Sequence, residues 1–433
     1  MSQTRRAALA LATVALASAM QCESGPQHPH QTFIGTAAYR HLSTSTFADC
    51  CNGCRTDQRC MAYSVTYANS SCSLFASRPD RIAYCTVGQC DAGEVSHAPS
   101  SGPSPAPPPA LPNVTVTHNV TYAQGLVSCP HGALDDPQHT CTAVDLTLDV
   151  YQPVGASAAG RPAIVIAHGG GNAGGDKATV YLEGQAQFFA ARGFVAFNID
   201  YRLAHQQGSV PAASAAAARA VRAAADAHDA TYGAGWTPYW QSAYPAVRDF
   251  KAAVRFVRAN AAKYGIDPTK IVGSGGSAGA TNALATGVTF DGDYKDELNA
   301  TQDPTLASTH LEQSSAIQVV YTHWSSDGEI DLVREHDPKN RSRYSSDNPP
   351  VVEFHGDQDP TIPISHAYAV QAEYKAHNVP YELNVLKGCA HGAWGYGCSP
   401  NGCTGGPYCS KMDEIAYPFV MKHLGLTRTV EEA

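Results

Sequence analysis

Charge is scarce in this chain. Lys, Arg, Asp and Glu make up 15% of its 433 residues, and acids outnumber bases by 38 to 29. No basic run occurs, and no interleaving of basic with aromatic residues, which excludes general affinity for nucleic acid or for anionic membrane surfaces. Long apolar runs are also lacking. After the first residues no segment reaches the roughly 20 apolar residues that a membrane-spanning helix needs. No G-x-x-x-x-G-K-[ST] is present, so the glycine-rich stretches do not read as a Walker-type phosphate cradle.

What is present begins with a compartment signal. Arg5-Arg6 precede an apolar stretch from Ala7 to Ala17, and Ala17-Ser18-Ala19 follows as a small-x-small site. A positive start, a short apolar core and such a site make a signal peptide over residues 1–19, so the expected location is secreted, extracellular. Met20-Gln21 before Cys22 are not the small residues that lipoprotein processing needs. The 14 cysteines fit an oxidising compartment, where disulfides persist. Asn69, Asn113, Asn119, Asn299 and Asn340 head Asn-x-Ser/Thr sequons and mark a glycoprotein if the source cell glycosylates.

Three textures follow. Residues 23–96 are cysteine-dense and short of apolar runs, so cross-links must supply the stability that a small core cannot. Residues 97–112 are Pro-rich and form an extended, semi-rigid linker. From residue 113 to 433 strands alternate with helices, which requires an α/β fold with a doubly wound, mostly parallel sheet. Val144–Tyr151 alternates like an edge strand, while Ala163–Ala167 and, but for Asn198, Phe194–Ile199 are apolar runs of the buried, parallel kind. Val247, Phe250, Ala253, Val254 and Val257 fall at helical spacing within Tyr244–Tyr264. Ile271-Val272, Val351–His355 and Tyr381–Leu386 are further strands.

The chemistry centres on Gly275-Gly276-Ser277-Ala278-Gly279, placed between the Ile271-Val272 strand and a helix beginning near Ala280. A serine nucleophile on a sharp strand-to-helix turn needs small residues two positions before and after it. His168-Gly169-Gly170-Gly171 directly follows another strand. Glycines there let backbone N–H groups approach an oxyanion, so Gly170 and Gly171, with the N–H of Ala278, are the candidate oxyanion hole. In the chain order Ser, Asp, His, His391 is the candidate base and Asp359 the candidate acid. Asp357 stays open as the alternative; Asp359 is preferred because it stands just before the Pro360-x-Ile362-Pro363 turn. Neither a metal nor an organic cofactor is required.

Two resemblances extend this reading. Cys50-Cys51-x-x-Cys54, Cys60-x-Ala62-Tyr63-Ser64 and Cys72-Ser73-Leu74 resemble the PAN/apple modules of extracellular proteins, which implies a carbohydrate or protein ligand for the N-terminal segment. Asp200-Tyr201-Arg202-Leu203-Ala204, Tyr264-Gly265-Ile266-Asp267-Pro268, the His-Gly-Gly-Gly loop and the serine turn together resemble the carboxylesterase, hormone-sensitive-lipase-like branch of α/β-hydrolases. In style they are closest to its feruloyl and acetyl-xylan esterases. That likeness spans about residues 140–425 and implies an α/β-hydrolase fold and a serine carboxylic ester hydrolase working through an acyl-enzyme. A serine peptidase of the same fold and a non-catalytic extracellular binding protein are the alternatives.

Residues 200–203 read as structural, bracing loops under the site. Two departures stand out. An insertion over residues 204–243 carries an Ala-rich run, Ala212–Ala227, and is expected to shape the acyl pocket. Cys389, Cys398, Cys403 and Cys409 surround His391 and are expected to form two disulfides; Cys129 and Cys141 are expected to pair with each other.

Overall fold

The computed structural model describes residues 114–129, 141–154, 160–211, 214, 237–334, 337–392 and 412–426, together with short strands between residues 9 and 94. The chain divides into two compact units, Met1–Pro107 and Pro108–Ala433. In the first, short segments pair antiparallel, among them Gln31–Ile34 with Arg81–Tyr84 and Ala62–Thr66 with Cys90–Glu94. The cysteine framework expected there, the Pro-rich linker and the Ala-rich run 212–227 (Ser214 excepted) lie outside the described residues.

The second unit is built on eight strands. They are β1 (Val114–Val127), β2 (Thr142–Pro153), β3 (Arg161–Ala167), β4 (Val195–Ile199), β5 (Ile266–Gly276), β6 (Val319–His323), β7 (Val351–Gly356) and β8 (Tyr381–Leu386). Their order in the sheet is β8-β7-β6-β5-β3-β4-β2-β1. From β4 to β8 every neighbour pair is parallel, and β2 joins β4 and β1 antiparallel. The helices are α1 (Val180–Ala190), α2 (Thr237–Ala259), the single turn α3 (Ala261–Tyr264), α4 (Ala278–Val288), α5 (Gly328–Arg334), α6 (Ser365–Ala376) and α7 (Met412–His423). This is the mostly parallel, doubly wound α/β-hydrolase sheet.

The apolar runs read from the sequence are buried because helices cover both faces. On β3, Ala163, Val165 and Ala167 pack on the same side as Val247, Phe250 and Val254 of α2. Ile164 and Ile166 point the other way, toward Leu182, Ala186 and Phe189 of α1 and Ala416, Tyr417 and Val420 of α7. A strand covered on both sides has no polar face to alternate, which is why Ala163–Ala167 reads as one hydrophobic run.

Two expectations need correction. Val144–Tyr151 is not an edge strand: it lies within β2, flanked by β4 and by the 14-residue β1. Its alternation comes from the outer part of the sheet being covered on one side over part of its length, not from an open hydrogen-bonding edge. The helix read over Tyr244–Tyr264 begins earlier, at Thr237, and breaks at Asn260 before α3, so the last seven residues of the supposed insertion are helical. Cys129 and Cys141, which flank the β1–β2 connection, form the expected disulfide.

Candidate active site

Ser277 stands between the end of β5 and the first residue of α4, with φ 55° and ψ −124°. A non-glycine residue there costs on the order of 1–3 kcal/mol and persists only where its surroundings enforce it. The Ser277 N–H donates to the carbonyl of His323 at the end of β6 (2.8 Å), and its own carbonyl accepts from Thr281 one helical turn on. Sterics fix the flanking glycines. A Cβ on Gly275 would sit 2.6 Å from the Ala167 carbonyl oxygen, and one on Gly279 only 2.1 Å from the same atom. The turn thus presses α4 against the last residue of β3, where the glycine loop starts.

Two side chains from later loops complete an array. His391 Nε2 lies 2.8 Å from Ser277 Oγ, and His391 Nδ1 lies 2.7 Å from Asp359 Oδ2. The second oxygen of Asp359, Oδ1, accepts the N–H groups of Thr361 and Ile362, so the carboxylate cannot rotate freely. Asp357 is 31 residues from Gly388 in sequence but bonds to its N–H, and it lies 3.2 Å from Lys387 Nζ. Against partial desolvation, these partners hold its carboxyl below the ordinary range. Of the two aspartates, Asp359 is the one placed against His391.

The histidine loop is seated by backbone contacts. The Cys389 carbonyl accepts the Gln358 N–H at 3.0 Å and lies where a Cβ on Gly356 would have to go. Cys389 is disulfide-bonded; Cys398, Cys403 and Cys409, the partners expected from the sequence, fall outside the described residues. The Trp324 ring stands 5.9 Å from the His391 ring, centroid to centroid.

The glycine loop lies alongside the serine. A Cβ on Gly169 would meet Ser277 Cβ at 3.1 Å. Gly170 and Gly171 have positive φ, 109° and 62°, and the Gly170 carbonyl closes a turn by accepting from Ala173 and Gly174. Among the described residues, no backbone acceptor outside the regular elements receives the N–H of Gly170, Gly171 or Ala278. Ala278 is moreover the first residue of α4, whose N–H has no partner within a helix. The glycine loop and the first residue of α4 thus both adjoin Ser277.

Of residues 200–203, expected to brace loops under the site, Tyr201 reaches the glycine loop directly. Tyr201 donates its hydroxyl to the His168 carbonyl (2.8 Å) and stacks on the His168 ring at 4.3 Å. Burial pushes the His168 imidazole below its ordinary pKa, and its Nδ1 faces the Gly169 carbonyl at 2.7 Å. Arg202 forks onto Asp249 of α2 and reaches the Leu126 carbonyl and Ser209. Asp200 takes the Lys177 N–H and ammonium.

Three residues near the site have no role assigned from the sequence: His323, whose carbonyl holds the serine turn, and the buried Glu353 and His355 of β7, where the sequence indicates only a strand. The run Val319-Val320-Tyr321 was the available signal for β6, and it was short. Among the described residues no three His, Cys, Asp or Glu side chains converge to hold a metal ion. Nor, among them, is any helix long and apolar enough to cross a membrane.

A strained serine bonded to a histidine, a carboxylate behind the histidine and backbone donors beside the serine make up the machinery of a serine hydrolase. The family comparison agrees in kind. The esterase-related BD-FAE family matches residues 148–233 and 236–325, which include the glycine loop and the serine turn. No curated protein matches the chain. Among solved structures, a thermophilic esterase from the Planctomycetes species Thermogutta terrifontis, with butyrate bound, is 27% identical over 66% of this chain and 92% of its own, with a TM-score of 0.48. Its propionate-bound form gives 27% identity over 74% and 98%, with a TM-score of 0.49. Thermogutta terrifontis esterase 2 phosphorylated by paraoxon gives 26% over 75% and 100%, with a TM-score of 0.48.

Proposed function

We propose that this protein is an exported serine carboxylesterase that cleaves acetyl or feruloyl esters of polysaccharide. The observation that carries the catalytic part is the unbroken array from Ser277 Oγ through His391 to Asp359. Ser277 Oγ attacks the acyl carbon while His391 Nε2 takes its proton. The carbonyl oxygen becomes an oxyanion and receives the N–H groups of Gly170, Gly171 and Ala278; one such donor is worth about 10²–10³ in rate. Collapse of this intermediate breaks the ester bond, and His391 returns the proton to the departing alcohol. Water, deprotonated by the same imidazole, then releases the acid from Ser277. Asp359 keeps the imidazole in the tautomer that bears its proton on Nδ1 and stabilises the charged form.

The BD-FAE match supports ester chemistry. Export rests on the signal-like start, and a polysaccharide target on the resemblance to feruloyl and acetyl-xylan esterases. The N-terminal cysteine-rich segment is read as the part that holds the enzyme near carbohydrate or protein. The test is release of acetate and ferulate from a cell-wall polysaccharide by wild type and by Ser277→Ala. Release that vanishes in the variant supports nucleophile and substrate class together. A wild type that releases neither, yet hydrolyses small free esters, refutes the polysaccharide target alone.

A further inference from the structure

Two polar side chains sit at the centre of β7, where a strand buried on both faces should carry none. Glu353 and His355 are two residues apart, hence on one face, and both are fully buried. Everything that reaches Glu353 is a donor. Its Oε1 takes the Ser325 N–H (3.1 Å) and His355 Nδ1 (2.9 Å), and its Oε2 takes the Ser325 hydroxyl (2.8 Å) and the Tyr381 hydroxyl. Such a site suits a carboxylate, which accepts at both oxygens. The other ring nitrogen of His355, Nε2, lies 2.8 Å from the carbonyl oxygen of Ile362, which can only accept. A ring with an acceptor at each nitrogen carries a proton on both. The same Nε2 stands 3.6 Å from Asp359 Oδ2, the oxygen that receives His391.

We propose that the buried Glu353–His355 ion pair is a positioning element for the Ser277–His391–Asp359 array, placing a fixed positive charge behind the Asp359 carboxylate. The inference rests on the catalytic reading above. The imidazolium holds Asp359 Oδ2 in line with His391. It also offsets part of the negative charge that Asp359 presents to His391.

Among the described residues, no rival charge stands out around His355. The groups that act electrostatically on His355 are Glu353 and Asp359; although burial alone would depress the ring's basicity, these carboxylates and the Ile362 carbonyl hold it above the ordinary value. Strand β6 and its following turn bring Ser325 and the neutral His323, whose pKa burial pushes down to about 3. Strand β8 brings Tyr381, against which α6 packs Tyr374; burial raises both phenols. The loop after β8 supplies His391 itself.

The test uses the full chain with ¹⁵N-labelled histidine. Wild type should show both ring N–H signals of an imidazolium for His355 through the neutral range, identified by their loss in His355→Gln. The rate at which a fluorophosphonate labels Ser277 is then followed against pH in wild type and Glu353→Gln. The amide preserves the shape of Glu353 and lets His355 stay neutral, so the acid limb should move up by on the order of half a pH unit, while the alkaline plateau changes little. His355→Gln, which also removes the cation, supplies the same comparison if Glu353→Gln does not fold. A single ring N–H on His355 in wild type, or an unmoved acid limb in a folded variant, overturns the proposal. Labelling does not require an ester substrate. A chain that is labelled but cleaves no ester counts against the ester reading and leaves this inference standing.

Discussion

Replacing Asp359 by Asn changes one atom and should nearly abolish turnover, for a reason visible in the hydrogen bonds. Asp359 Oδ1 accepts from Thr361 and Ile362, at 2.8 and 3.0 Å. An asparagine must keep its carbonyl oxygen on these two donors, because turning the amide over would set N–H against N–H. The NH₂ group is then directed at His391 Nδ1, 2.7 Å away in the wild type. His391 can answer only by moving its proton to Nε2, where it points at Ser277 Oγ and cannot accept from it. The base is lost although the geometry is intact. A loss of this kind runs to about 10⁴-fold in kcat, equivalent to about 5 kcal/mol of transition-state stabilisation. Asp357→Asn is the matched control. Its carboxylate serves the Gly388 N–H, which an amide oxygen can also serve, and its ion pair with Lys387 is partly exposed. It should stay within about threefold of wild type, since such surface pairs are worth about 0–1 kcal/mol. The assay is kcat/KM for p-nitrophenyl acetate, with circular dichroism to establish folding. If Asp359→Asn retains a tenth of the activity, or Asp357→Asn loses as much as Asp359→Asn, the assignment of the acid is wrong.

Four further outcomes follow from single contacts. Gly279→Ala sets a Cβ 2.1 Å from the Ala167 carbonyl oxygen; forced overpacking of this kind costs about 1–3 kcal/mol or more, and thermal melting should show at least that loss together with a collapse in turnover. Gly184→Ala in α1 meets nothing within 4 Å and should stabilise by about 0.5–1 kcal/mol, by restricting the unfolded chain; a lower melting temperature would contradict this. Tyr201→Phe keeps the stack on His168 but strips its buried carbonyl of a donor, so it should cost about 1–3 kcal/mol and lower kcat more than KM. His323 is fully buried, and its pKa falls from 6.5 to about 3. The unfolded chain therefore binds a proton that the folded one refuses, so this contribution is complete above pH 6.5 and is lost as pH falls toward 3. It amounts to on the order of 3–5 kcal/mol, and His323→Gln should flatten the fall in denaturant midpoint over that window.

Legibility in the sequence followed burial. Ala163–Ala167 and Phe194–Ile199 are plain as strands because both faces of β3 and β4 are covered, and only the buried Asn198 interrupts the apolar runs. β1 was not read as a strand. Its first half, Val114-Thr115-Val116-Thr117-His118, is largely exposed, and only its last residues enter the core. The serine turn was legible for a steric reason, since Gly275 and Gly279 both face the Ala167 carbonyl and no side chain fits. The choice between Asp359 and Asp357 had a weaker signal. The Asp-Pro-Thr-Ile sequence lets a carboxylate accept the N–H groups two and three residues on, and Asp359 makes those two bonds. Glu353 and His355 carried no signal, because charged letters inside a strand read as its solvent face, and nothing local reveals that they neutralise one another.

The short β6, which the sequence reading passed over, decides how the site is spaced. The residues of the site come from the carboxyl ends of β3, β5, β7 and β8, and the sheet sets β6 between β5 and β7. Neighbouring strands lie about 4.8 Å apart. Without β6, the turn bearing Ser277 and the loop bearing Asp359 would stand one strand apart, too close for an imidazole to lie between hydroxyl and carboxylate. With it they stand two strands apart, roughly 10 Å by the same spacing, and the ring of His391 reaches both partners, at 2.8 and 2.7 Å. The same strand donates the His323 carbonyl that holds the Ser277 N–H. Five residues, Val319–His323, thus act as spacer and anchor at once. Their brevity hid them from periodicity, while their position makes the distance between nucleophile and acid a property of strand order and not of any motif.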